Sequence, residues 1–462
     1  MHVLHRAALL ALISSTVISS LSMAQQSLTI YQDGRVLVRR TFPTAVARGE
    51  SSQRVEVGPI DASSLFALDP SVSIVKASFD GAVDEMSVLR RAVGRELKFV
   101  APPSKDGGRA DTVTATVIGV DPLRLRLADG SVTFSAPGRA LYPADLVVVD
   151  PALTLSLVSQ QARQQLGLGY FTRGANWQAA YSVMLGKGTA RVTGNAAIQS
   201  GQLRADQAEV QLLAGDVGSG EQPPQVMYAR AQAMEMQDAA ASKAMGEQSV
   251  GEFHLYSLDG SHSLRPGETT LAALFEPASA PYRKEFLVRG DIPYWGFLPQ
   301  TGSEDQVPVQ ISYTLERKRD TPFGDAPLPE GTARIYEPDA EGRLQLVGEA
   351  STDHTPAGEA LRLSAGTAFD ITARRVQTSY TTSQEPGGKP RRTIALADYR
   401  VTLNNAKEEA VTVVVEERRA GEWRIEESSV PAEKVSSTIT RFKVDVPARG
   451  EAVLTYRVWA RW

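Results

Sequence analysis

Tyr399-Arg400-Val401-Thr402-Leu403, Phe442-Lys443-Val444-Asp445-Val446 and Val453-Leu454-Thr455-Tyr456-Arg457-Val458 alternate in side-chain character, and Val411-Thr412-Val413-Val414-Val415 is a β-branched run. A period of two sends successive side chains to opposite faces of a strand, so one face can enter a core. Trp423 and Ile425 add a further segment, and polar turns separate them all. Strands recurring at intervals of about ten residues are the pattern of an antiparallel sandwich. Residues 393–462 are therefore expected to form an immunoglobulin-like module.

The same reading extends toward the N-terminus. Leu28 and Ile30, a turn at Asp33-Gly34, and Val36 and Val38 predict a hairpin. With Val55, Val57, Val72, Ile74 and Phe79 it defines an N-terminal β domain over 25–88. Residues 89–147 offer short strands at Leu97–Val100, Thr112–Val120, Leu123–Leu127 and Val132–Phe134. Tight turns at Pro102-Pro103, Asp121-Pro122 and Asp129-Gly130 suit a small barrel-like domain. A central β-rich domain follows over 148–380, carrying alternating Leu153, Leu155, Leu157 and Tyr181, Val183, Leu185. Within it, 218–250 is rich in Ala, Gln, Met, Gly and Ser and has no sustained period, so a flexible insertion is expected. Residues 381–392 read as a loop. The predicted fold class is mostly β: a multidomain antiparallel β protein with a small barrel-like insert and a C-terminal sandwich. A length of 462 residues and a hydrophobic fraction of 42% permit several real cores.

Residues 1–24 read as a secretory signal peptide. His2, His5 and Arg6 precede the apolar Ala7–Ile18, and Ser22-Met23-Ala24 places small residues where a signal peptidase cleaves. Export to the periplasm or beyond is expected, and no later apolar run is long enough for a membrane-spanning helix. Removing the signal leaves 48 basic against 53 acidic residues, net −5. That mild balance gives no reason to expect nucleic acid. The chain contains no cysteine, which removes disulfides, thiolate metal sites and cysteine nucleophiles together.

No constellation amounts to a catalytic, cofactor or metal site. His254 and His262 stand eight residues apart, a spacing outside the helical ligand patterns. Asp353-His354 supplies two members of a triad, but no G-x-S-x-G elbow accompanies it. Met227, Met234, Met236 and Met245 could hold Cu(I) through soft thioethers, yet read more simply as apolar residues of the insertion. Tyr294, Trp295 and Phe297, between Pro293 and Pro299, form an aromatic loop that suits partner contact or packing between domains. Leu454, Tyr456, Val458, Ala460 and Trp462 alternate to a terminal aromatic, as in the last strand of outer-membrane barrels. The short, irregular strands of the rest favour a sandwich strand instead.

Several segments together resemble a bacterial family. Tyr170, Gly174-Ala175-Asn176-Trp177, Tyr181, Ala208-Glu209-Val210 and Leu213-Ala214-Gly215-Asp216 open the resemblance. Phe253–Tyr256, Pro327-Leu328-Pro329-Glu330-Gly331 and Ala333-Arg334-Ile335-Tyr336 continue it, with Gly342–Gln345, Asp353–Pro356 and Gly366-Thr367-Ala368-Phe369-Asp370 further on. These look like the domain of unknown function 4139, labelled mucoidy-inhibitor-A-like, over roughly residues 150–460. Glu316-Arg317 departs from the pattern, where an asparagine would end the strand. The resemblance implies no catalytic residues, because the family has no established activity. The functional expectation is an exported, non-enzymatic β-rich protein that binds a protein or envelope partner. The alternative is an envelope-directed hydrolase using Asp353 and His354.

Overall fold

The computed structural model describes residues 26–101, 111–218, 246–291, 301–302, 304–385 and 392–462. The expected signal peptide, most of the 218–250 insertion with all four of its methionines, and the Tyr294, Trp295, Phe297 loop lie outside the described residues.

The protein is mostly β, built from several antiparallel sheets, as the alternation predicts. The predicted N-terminal hairpin joins Gln26–Tyr31 to Arg35–Phe42, with Gly34 at φ +86° in its turn. Only a residue without a Cβ adopts that φ freely. Gln26–Tyr31 also pairs in parallel with Ala205–Ala214, and Arg35–Phe42 pairs with Leu166–Arg173. Gly246–Val250 and Phe253–Ser257 extend this eight-stranded sheet on one side, and Asp61–Ala67 ends it on the other. A three-stranded sheet of Gly49–Glu56, Ala152–Ser159 and Val72–Asp80 packs on it. Leu28, Ile30, Val36 and Val38 meet Leu153, Leu155 and Leu157 in one core, all of them at most 2% exposed.

Between Val72–Asp80 and its partner Ala152–Ser159 the chain inserts a unit with a core of its own. The insertion leaves and returns where Asp80 stands opposite Ala152. Helix Glu85–Arg91 is capped by the Asp84 carboxylate, which accepts from the Ser87 amide at 3.0 Å. Five strands follow, ordered Arg139–Leu141, Glu96–Val100, Thr112–Val120, Leu123–Leu127, Val132–Thr133. The helix adds Val88 and Ala92 to Leu97, Phe99, Ala115, Val117 and Leu125. Four of the five strands fall on predicted segments. The sheet stays open rather than closing into the expected barrel, because the end strands Val132–Thr133 and Arg139–Leu141 each pair on one side only.

The central region is organised by one strand of 24 residues, Glu268–Asp291. Its first half pairs with Thr189–Ser200, and its second half lies between Val309–Leu315 and Val411–Arg418. Ala175–Leu185, Gly331–Pro338 and Leu344–Thr352 continue the sheet outward from Thr189–Ser200. Gly194 is required here, since a Cβ would stand 2.3 Å from the Phe275 ring.

The long strand carries the sheet into the C-terminal sandwich. There Val411–Arg418 and Ile439–Val446 face Ile371–Gln384, Thr393–Asn405, Gly450–Arg461 and Glu422–Ser428. Val401, Leu403, Val413, Val415, Phe442 and Val446 are fully buried between them. Leu454, Tyr456, Val458 and Ala460 point into the same core, so the alternation of the final strand serves a protein interior.

Candidate functional site

A groove of about 1000 Å³ runs along the first sandwich, beside the Arg35–Phe42 and Leu166–Arg173 strands. Arg35 and Arg40 both line it, which at strand rise corresponds to roughly 17 Å of length. Its wall is the 57–61 crossing between the two sheets, fixed from below by side chains. The Tyr170 hydroxyl donates to the Val57 carbonyl at 3.2 Å, and the Thr172 hydroxyl donates to Pro59 at 2.6 Å. Burial raises the Tyr170 pKa, with Arg40 pulling the other way, so the phenol stays protonated and keeps donating. At the far end the amides of Gln202 and Leu203 donate to the Gly174 carbonyl at 3.0 and 3.2 Å, locking two turns together.

The charges of the groove balance. Arg35, Arg40, Arg173 and Arg204 face Glu56, Asp61, Asp150 and Asp206. Arg35 stands directly opposite Arg173 across the two strands, an unfavourable placement for like charges. Each has a carboxylate to offset it. Asp33 meets Arg35 at 2.6 Å, and Asp61 lies within electrostatic reach of Arg173. The hydroxyl and amide of Ser63 donate to Asp61 at 2.6 and 3.0 Å and hold its carboxyl below the ordinary range. Arg204 pairs with Asp206 at 3.5 Å. The lining contains no histidine, and its one hydroxyl-bearing aliphatic side chain, Thr172, is committed to a carbonyl. Such a surface offers hydrogen bonds of both polarities over an extended length. It has no nucleophile beside a base.

The histidines singled out in the sequence do not converge. His254 Nδ1 meets Glu247 at 2.7 Å, and His262 Nε2 lies 3.0 Å from the Asp259 carbonyl. His254 pairs opposite Ala214 and His262 opposite Ala208, so about 20 Å of strand separates them. His354 accepts the Glu330 amide at 3.1 Å through Nδ1, and its Nε2 lies 3.7 Å from the Glu330 carboxylate. Among the described residues no hydrogen bond joins the Asp353 carboxylate to His354, and no group of three or more His, Asp or Glu could hold a metal.

Two clusters built on buried charges escaped the sequence reading. Arg317, 5% exposed, donates to the carbonyls of Phe323, Pro356 and Glu359 at 3.0, 2.9 and 3.1 Å, and to that of Ala326. It thereby clamps the loops at 318–330 and 353–359. Glu417, fully buried in the C-terminal sandwich, accepts from Arg419 and the Tyr456 hydroxyl, both at 2.7 Å, and from Arg375 at 3.1 Å. Burial works to lower the Arg375 pKa, but Glu417 together with Tyr456 and Tyr399 outweighs it and leaves the value raised. In both clusters the central buried charge is met by several hydrogen-bonding groups inside a core, which is what a structural charge requires. The groove residues were missed for another reason: they come from points as far apart as Arg35 and Asp206, and no local pattern marks them.

Comparison of the chain with protein-family models, with curated proteins and with solved structures finds no match to any of them.

Proposed function

We propose that this chain is an exported, non-enzymatic binding protein whose groove holds a polar, overall neutral segment of an envelope partner. The observation that carries the reading is the composition of the groove: four arginines against four carboxylates, with no reactive dyad. A polyanion would meet the carboxylates and a polycation the arginines, so neither suits it. The signal-like start of the sequence supports the compartment, and the resemblance to the mucoidy-inhibitor-A-like family supports a role without known catalysis. The hydrolase alternative would need Asp353 to orient His354, and the two side chains are not hydrogen-bonded to each other.

A photo-crosslinking amino acid in place of Phe171, which lines the groove half-buried, tests this in envelope preparations. The expected result is a discrete adduct that disappears when Arg40→Glu and Arg173→Glu tip the balance of charge. Absence of an adduct, or an adduct indifferent to both substitutions, would overturn the reading.

A further inference from the structure

One face of the eight-stranded sheet builds the first core, through Leu28, Val38, Leu168 and Val210 among others. Thr29, Arg39, Gly169 and Gln211 each lie one residue further along the same strands and so point to the opposite face. Tyr31, Leu37 and Phe171 share that outer face and enter none of the three cores, so among the described residues no second layer covers it.

Arg39 is half-buried at the centre of this face. Its Nε donates to the Ser27 hydroxyl at 2.9 Å, and its Nη2 to the Thr29 hydroxyl and the Gln211 carbonyl at 3.0 and 2.8 Å. All three acceptors are neutral. Among the described residues no carboxylate pairs with Arg39, and Nη1 keeps its donors free. A planar guanidinium in that condition is set to receive a carboxylate. The neighbouring cations are already offset, Arg35 by Asp33 at 2.6 Å and Arg173 by Asp61. Glu209 is exposed and stands opposite Ser27, which stands opposite Arg39, so its strand runs about 10 Å away. The face therefore takes one anionic group at Arg39 and refuses a second at Glu209. Aromatic rings flank the arginine. Phe66 lies across Gly169, the residue directly opposite Arg39, and is 43% exposed. Two residues further on, Phe171 packs with Tyr31, ring centres 5.9 Å apart. Arg35–Phe42 is laddered on both sides, so a peptide laid here would find no backbone groups to pair with. A sugar needs none, since it meets side chains through its hydroxyls and aromatic rings through its apolar face.

We infer that the outer face around Arg39 binds an oligosaccharide in which a carboxylate-bearing sugar alternates with a neutral one. The carboxylate meets Nη1 of Arg39, the apolar face of that sugar lies on Phe66, and the neutral sugar offers hydroxyls to Glu209. Arg39, Phe66 and Glu209 do not line the groove, so the test stands whatever the groove holds.

The probe is a fluorescent tetrasaccharide alternating glucuronate and N-acetylglucosamine. It is compared by anisotropy with the same molecule carrying amides in place of its carboxylates, and with tetraglucuronate. The alternating acid is expected to bind roughly tenfold more tightly than either control. Arg39→Gln is expected to abolish the preference for acid over amide. Phe66→Ala should weaken both about fivefold, and Glu209→Gln should bring tetraglucuronate up to the alternating probe. Phe66 and Glu209 are exposed, so these two variants should keep the parent's melting temperature and report even where Arg39→Gln does not fold. Equal binding of acid and amide, or indifference to Phe66→Ala or Glu209→Gln, would overturn the inference. So would displacement of the probe by an equal concentration of a glutamate-rich peptide.

Discussion

Arg317 illustrates how much of this molecule depends on single side chains with distant partners. Burial lowers its pKa, and among the described residues no carboxylate contacts its guanidinium, whose donors meet backbone carbonyls instead. Arg317→Met removes the charge and strands several buried acceptors. It is expected to cost about 3 kcal/mol or more in denaturant unfolding. Arg317→Lys should recover little of this, since an ammonium lacks the planar fork of donors that reaches several carbonyls at once. A loss below about 1 kcal/mol for Arg317→Met would mean that the loops hold themselves. Nothing around Glu316-Arg317 announces this role. Its acceptors lie up to 42 residues away, and only the fold brings them to one point.

At the scale of elements, period-two alternation carried the reading where strands are buried on one face. Leu153, Leu155 and Leu157, or Val401 and Leu403, show it plainly. It failed on Glu268–Asp291, where Pro277 and Pro281 argue against a strand by local rules. The structure accommodates Pro277 at a register shift, where Val192 pairs with Ala278 but Gly194 pairs with Phe275, leaving the residues between outside the ladder. The inserted unit offers a direct test of modularity. Asp80 and Ala152 already face each other, so replacing 81–151 by Asn-Gly closes a two-residue hairpin. The shortened chain is expected to keep its β circular dichroism and melt within a few degrees of the parent, and the excised 81–151 should fold alone around Leu97, Phe99 and Leu125. An insoluble shortened chain would show that the insert supports its host.

Across the whole molecule, one repeated device contributes to the dependence of stability on pH. Asp61-Ala62-Ser63, Asp69-Pro70-Ser71 and Asp129-Gly130-Ser131 each turn the chain with a carboxylate accepting from the hydroxyl and amide of the serine. Those hydrogen bonds favour the ionised form and set each pKa below the ordinary 3.8. The folded state therefore binds fewer protons than the unfolded one. The stabilisation is fully present above the ordinary value and is lost as pH falls through the lowered ones. The melting temperature is expected to fall as pH drops below about 4. Combining Asp61→Asn, Asp69→Asn and Asp129→Asn should flatten that limb, and an unchanged slope would assign acid unfolding to other groups. Fold class was legible along most of the sequence because alternation is local. The groove was not, since its charges come from five separate stretches of chain that only the packed sheets bring together.

The parallel pairing of Gln26–Tyr31 with Ala205–Ala214 also sets a timetable for folding. Thr29 and Gln211, neighbours in the finished sheet, are 182 residues apart in the chain. At ordinary synthesis rates the first hairpin waits on the order of ten seconds for the strand that covers its open edge. Loop closure over that distance then makes the pairing a late, slow event. During that interval a chaperone would find an unfinished edge on the Gln26–Tyr31 strand.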